Sequence, residues 1–189
     1  MRTLLLSGAL LVAPVAYAEV IEVSSEKLSQ IPSNEDIWIH VQNQGNLSQY
    51  QARFISTLSK QCIEQMDFAS TQVLDSINRK TRFSEDESGQ IKGNRPVGFF
   101  DITFDIDVTT ERGESGTKVQ QHLHNYNMFV DSAEFQFTMT PQSDSNVLVD
   151  LIASNRVSDD IPSWLSNMFQ SDVGDKVQHF QNALNGLCD

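Results

Sequence analysis

The 189-residue sequence is poor in positive charge: 13 Lys+Arg stand against 25 Asp+Glu, a formal net charge of −12. That balance excludes nucleic acid and anionic lipid surfaces as electrostatic partners, because both call for a basic footprint. Nine Gly and five Pro are too few for a collagen-like or low-complexity architecture. After the N-terminal segment no stretch approaches the ~18 consecutive apolar residues of a membrane span, so no transmembrane segment is expected in the mature chain. Also missing are Gly-x-Gly-x-x-Gly, the P-loop, His-Glu-x-x-His and Gly-x-Ser-x-Gly, and no cofactor is expected.

What the chain does have is core material. Hydrophobic residues make up 39%, with 11 Phe and 2 Trp. At this length that suffices for one domain to bury a core without metal.

The N-terminus reads as an address. Arg2 is a short positive segment, Leu4 to Val15 is an apolar run too short to cross a bilayer, and Ala16-Tyr17-Ala18 fits the small-x-small cleavage rule. Residues 1–18 are therefore expected to be a signal peptide and residues 19–189 one soluble α+β domain, periplasmic or secreted. In an oxidising compartment Cys62 and Cys188 become a candidate disulfide, with two separate thiols as the alternative. Neither has the CxxC partner or neighbouring His of a redox or nucleophilic cysteine.

Glu19 to Val23 alternates like a short edge strand, and Ile37 to Val41 is β-rich up to the turn signal at 42–46. Leu47, Tyr50, Phe54, Leu58 and Cys62 then recur at helical spacing, which predicts a helix with Cys62 on its buried stripe and a helical N-terminal part. Phe68, Val73, Leu74 and Ile77 mark a second amphipathic or extended segment. Residues 84–96 have loop composition, and the acidic run 85–87 reads as a surface loop rather than a calcium site.

The second half alternates. Phe100, Ile102, Phe104, Ile106 and Val108 share one face of a strand whose other face is Asp and Thr. A turn at 112–116 returns the chain along Thr117 to Met128. A third strand carries Phe135, Phe137 and Met139 and ends at Pro141, and a fourth begins at Val147 with apolar residues on both faces, the mark of a central strand. Val173, Val177, Phe180, Leu184 and Leu187 form a helical stripe within a terminal helix that begins near Pro162 and delivers Cys188 at its end. Together these predict an antiparallel meander packed around a long C-terminal helix, an α+β fold.

Glu134-Phe135-Gln136-Phe137-Thr138-Met139-Thr140-Pro141, a polar turn, Val147-Leu148-Val149-Asp150-Leu151 and then Asp160-Ile161-Pro162-Ser163-Trp164-Leu165-Ser166-Asn167 run in a recognisable order. The span Ala133 to Leu184 resembles the C-terminal part of the START-like, helix-grip (polyketide cyclase-like) superfamily. The resemblance implies a sheet curled around the terminal helix and a hydrophobic cavity, hence a non-catalytic binding protein for a lipid or other apolar small molecule. With that fold, Phe104, Ile106, Phe135, Phe137, Phe180 and Leu184 are the cavity candidates.

One constellation remains. With the turn between Gly113 and Gly116, Asp107 falls opposite His122 and Asp105 opposite His124. Two His and two Asp on one sheet face are candidate ligands for zinc or another divalent ion. They also fit solvent-facing charge pairs, and because this face is polar throughout, no metal is assigned. Three functions stay open, in order: binding of an apolar small molecule, a periplasmic adaptor or assembly factor for another envelope protein, and a metal-dependent hydrolase.

Overall fold

The computed structural model describes residues 18–32, 36–159, 161 and 172–188. Residues 1–17 of the expected signal peptide 1–18, and Asp160, Pro162, Trp164 and the rest of the 162–167 motif, lie outside them. Nine strands form one sheet: β1 (Val20–Glu22), β2 (Ile37–Gln44), β3 (Leu47–Ser56), β4 (Arg82–Glu85), β5 (Ile91–Val97), β6 (Phe100–Gly113), β7 (Gly116–His124), β8 (Val130–Pro141) and β9 (Val147–Val157). The helices are α1 (Ser25–Leu28), α2 (Lys60–Gln65), α3 (Thr71–Ile77) and α4 (Val173–Asn185).

The strand order is β1-β2-β3-β9-β8-β7-β6-β5-β4. All neighbours are antiparallel except β1 and β2. Strands β4 to β9 meander in sequence order, and the β2–β3 hairpin joins the far side of β9. Since β3 and β4 lie on opposite sides of the sheet, α2 and α3 carry the chain across. The β6–β7 register is the expected one, with Asp107 opposite His122, Asp105 opposite His124 and Ile106 opposite Leu123.

The continuous helix expected from Leu47 to Cys62 is not formed, and among the described residues the N-terminal part is strands and short helices; that expectation is corrected. Leu47–Ser56 is a strand, and the helix at Cys62 begins only at Lys60. The period of four in Tyr50, Phe54, Leu58 and Cys62 is also twice the strand period of two. The small residues Ser48, Ala52 and Ser56 complete the buried alternation on β3. Ser59 starts α2 by accepting the Cys62 N–H at 3.1 Å, and Ser70 starts α3 by accepting that of Val73 at 3.3 Å.

Residues 82–97 are also ordered differently from expectation, as the β4–β5 hairpin. Its acidic turn is organised by Asp86, which accepts from Ser88 N (2.9 Å), Ser88 Oγ (2.6 Å) and Gln90 N (3.1 Å) and pairs with Lys92 at 3.2 Å. The Ser88 hydroxyl first, then Lys92, hold the Asp86 carboxyl far below the usual range.

Helix α4 packs on β2, β3 and α3. Gln181 donates to the Ile55 carbonyl at 3.0 Å, and Asn185 accepts from Ser56 Oγ (2.7 Å) and Thr57 N (3.0 Å), which ties the helix to the end of β3. Just beyond, Cys188 is bonded to Cys62 of α2 across 126 residues. On the chain-entropy argument a closed loop of that size contributes at most about 4–5 kcal/mol.

Two clusters of buried side chains fill the concave side. The larger joins β2, β3, β8, β9 and α4 through Phe54, Phe137, Leu151, Phe180 and Leu184. The smaller joins α3, β4, β5 and β6 through Leu74, Phe83, Ile102, Phe104 and Ile106. In the smaller cluster a Cβ on Gly93 would sit 2.3 Å from the Phe104 ring, its cross-strand partner. Gly93 is thus the recess that lets Phe104 lie flat over β5. Gly93→Ala is expected to cost about 1–3 kcal/mol by overpacking, read as a lower urea midpoint. Unchanged stability would show that the ring moves aside freely.

Candidate functional site

A cavity of about 180 Å³ lies between the two clusters, open at one side and bounded by the sheet, α3 and α4. Its lining includes Tyr50 from β3 and Arg95 from β5. On a flat sheet five strand steps would separate these residues by about 24 Å. Their meeting around one cavity follows from the curl of the sheet.

The apolar wall is made by Ile102, Phe104, Phe135, Leu151, Val177 and Phe180. Of the six sequence candidates, Phe104, Phe135 and Phe180 line the cavity. Ile106, Phe137 and Leu184 are buried in the clusters behind it. Phe180 is the meeting point: its ring stands edge-on to Phe137 (5.1 Å between centroids), Phe135 (5.3 Å) and Phe54 (6.2 Å). Such edge-to-face pairs set ring positions as well as burying area.

The polar part of the wall was not anticipated from the sequence. Arg95, Lys176, Tyr50, Tyr126 and Gln121 all face the cavity. Burial lowers the Arg95 pKa, with the charge of Arg79 acting in the same direction and the two tyrosines opposing. Burial pushes the Tyr50 hydroxyl up to about 12 and the Tyr126 hydroxyl higher still, both moderated by Arg95. Among the described residues Glu134 is the one carboxylate on the wall; its side chain is 70% exposed and pairs with His122 at 3.7 Å. Gln121 is 2% exposed, and its Nε2 has no hydrogen-bond partner among the described residues. Asn155 Oδ1, also on the lining, is in the same position.

The Asp/His face is on the other side of the sheet. His124 Nε2 pairs with Asp107 Oδ2 at 3.1 Å, diagonally rather than straight across, while Asp105 accepts from Asn125 at 2.8 Å and His122 turns to Glu134. Among the described residues no group of three or more His, Cys, Asp or Glu converges on a metal position. Asp107→Lys is therefore expected to cost less than about 1 kcal/mol in urea denaturation. A loss of several kcal/mol, or a zinc-dependent rise in melting temperature abolished by the change, would mean the face binds metal.

Burial first, then the Arg95 charge, brings the Lys176 ammonium from the usual 10.5 to about 8. Between those values the unfolded chain holds the proton and the folded chain has released it, so this group makes stability rise with pH across that window. Lys176→Met is expected to flatten the rise when urea midpoints at about pH 7.5 and 9.5 are compared.

Neither a scan of family models nor a search of curated proteins gives a match to this chain. Solved structures do. A STAR-related lipid transfer protein from Xanthomonas axonopodis superposes with a TM-score of 0.57 at 13% identity, over 81% of this chain and 96% of that one. The Zhui aromatase/cyclase from a Streptomyces species gives 0.56 at 9% identity, over 74% and 92%. A START superfamily protein from Mycobacterium smegmatis gives 0.54 at 14% identity, over 73% and 94%. Such identities carry the fold alone, and the matched share, 73% to 81% of the chain, is wider than the C-terminal span whose residues first suggested it. The chain has a START-like, helix-grip fold.

Proposed function

We propose that this protein binds a lipid or other apolar small molecule in the cavity between the curled sheet and α4, without transforming it, outside the cytoplasm. The observation that carries the reading is the cavity itself, an open, mostly apolar recess walled by Phe104, Phe135 and Phe180. The name of the Xanthomonas neighbour, a lipid transfer protein, agrees with it. The signal-like residues 1–18 and the Cys62–Cys188 bridge support export, since such bridges persist in oxidising compartments.

Size narrows the ligand. A dry apolar cavity of roughly 150 Å³ accommodates benzene, and drug-sized ligands fill about 300–1,000 Å³. A void of about 180 Å³ matches one ring or one short chain held inside the recess. The adaptor reading has less support: the sheet edges β1 and β4 are 3 and 4 residues long and offer few backbone groups to a partner strand.

Titration of the oxidised protein with octan-1-ol, octanoate and octyl phosphate, followed by ligand-observed NMR, tests the reading; absence of saturable binding by all three would sink it. Phe180→Ala removes a ring that both fills the larger cluster and walls the cavity. It is expected to cost about 3–5 kcal/mol, while the enlarged void admits longer alcohols than the wild type does. The same loss with no change in chain-length preference would place the ring in the core and not at the ligand.

A further inference from the structure

The cavity wall carries two kinds of group: the rings of Phe104, Phe135 and Phe180, and Arg95 with the hydroxyls of Tyr50 and Tyr126. Arg95 stands on the inward-facing row of β5 between Gly93 and Val97, both buried positions. Its cross-strand partner is Ile102, so β6 offers it no counter-charge. No carboxylate pairs with it among the described residues, and Glu134, the one acid on the wall, is engaged with His122. A cation turned into an apolar recess is costly unless something anionic or strongly accepting meets it. Gln121 Nε2 points to the same need: it is a buried N–H donor on the cavity wall with no acceptor among the described residues. Buried donors of this kind are exceptional in folded proteins and ask for a partner.

We infer that the ligand is a small anionic amphiphile, its apolar body against Phe104, Phe135 and Phe180 and its carboxylate or phosphate monoester on Arg95. This rests on the cavity reading above and sharpens it from apolar ligands in general to acids. The guanidinium supplies a planar, permanently charged fork that fits either acid, with Tyr50 and Tyr126 as further hydroxyl donors. Lys176, on the α4 side of the cavity, adds a second positive charge. The size of the void suits an apolar part of about one ring or one short chain.

The experiment compares octanoate, octyl phosphate and octan-1-ol, which share one chain and differ in the head, by calorimetric titration of the oxidised protein. Wild type is expected to bind at least one of the two acids about tenfold or more tightly than the alcohol, as a charge-assisted hydrogen bond in a buried site would give. Which acid gains more distinguishes a carboxylate site from a phosphate site. Arg95→Gln is expected to bring the affinities for acids and alcohol to within about twofold of each other, and Arg95→Lys to keep part of the preference. Equal binding of alcohol and both acids by wild type would overturn the inference and leave the cavity reading standing. A preference that survives in Arg95→Gln would overturn the assignment to Arg95. Failure of all three compounds to bind would remove the cavity reading itself. The wild-type comparison is decisive even if a variant does not fold.

Discussion

The packing of Phe180 against the rings of Phe54, Phe135 and Phe137 is the contact on which the rest of the structure depends. Phe54 is on β3 and the other two on β8, with β9 between them. A ring that meets both neighbours stands over β9, where Leu151 and Ala153 form the floor. That one placement fixes α4 across the β2–β3 side of the sheet and leaves the β5–β6 side uncovered by it. The space on that side is closed instead by the second cluster, built on α3 and Phe104. The cavity is what remains where two cores meet, so its position follows from the sheet being too wide for one helix to cover.

Polar ties hold the helix in register where apolar packing alone would let it slide. Gln181 and Asn185 reach the last residues of β3, and the Cys62–Cys188 bond fastens the end of α4 to α2. Hydrophobic contact is non-directional, whereas these bonds admit one axial position. The anchored end of the helix lies beyond Leu184, in the solid part of the core. Val173, Lys176 and Val177, at the other end, face the cavity. The disulfide and the Gln181 and Asn185 bonds thus lie toward the end of the helix away from the cavity, while Arg79–Asp175 and His179–Ser76 tie its other part to α3 and the residues just after it.

How much of this was legible in the sequence varied with the strand. On β6 alternation was strict, and the Gly113 and Gly116 turn set the register, so every β6–β7 pair could be derived from the residues. Gly116 is required there: its φ is +140°, and a Cβ would meet the Met139 carbonyl oxygen at 2.3 Å. On β3 the large residues recur every four positions and the inward places between them hold Ser48, Ala52 and Ser56. A pattern carried only by large residues is then read as a helix. On β5, Gly93, Arg95 and Pro96 all argue against a strand by propensity. The strand exists because β6 and β4 pair with it on either side and because Phe104 needs the recess at Gly93. Arg95 was hidden for the same reason, as a lone arginine in what read as a loop. Local rules failed most where the residues serve the cavity rather than the strand, the place where such failures are expected.

The charge distribution sets a further constraint on what the cavity meets. The chain carries −12 overall, yet Arg95, Lys176 and Arg79, the last paired with Asp175 at 3.4 Å, line one recess whose one carboxylate among the described residues is the outward-facing Glu134. At physiological ionic strength charges separated by more than about 8 Å in solvent are largely screened. The acidic exterior therefore slows the approach of any anion but has little effect on an anion once it lies inside, where the nearby guanidinium acts through a less polarisable medium. Slow entry with firm retention is the kinetic character this arrangement would give to the anionic ligand proposed above. The same exterior repels anionic bilayers and nucleic acids, which carry their charge on extended surfaces that cannot enter the recess. For the small acid proposed above, an acidic exterior around Arg95 and Lys176 would thus select by shape as much as by charge.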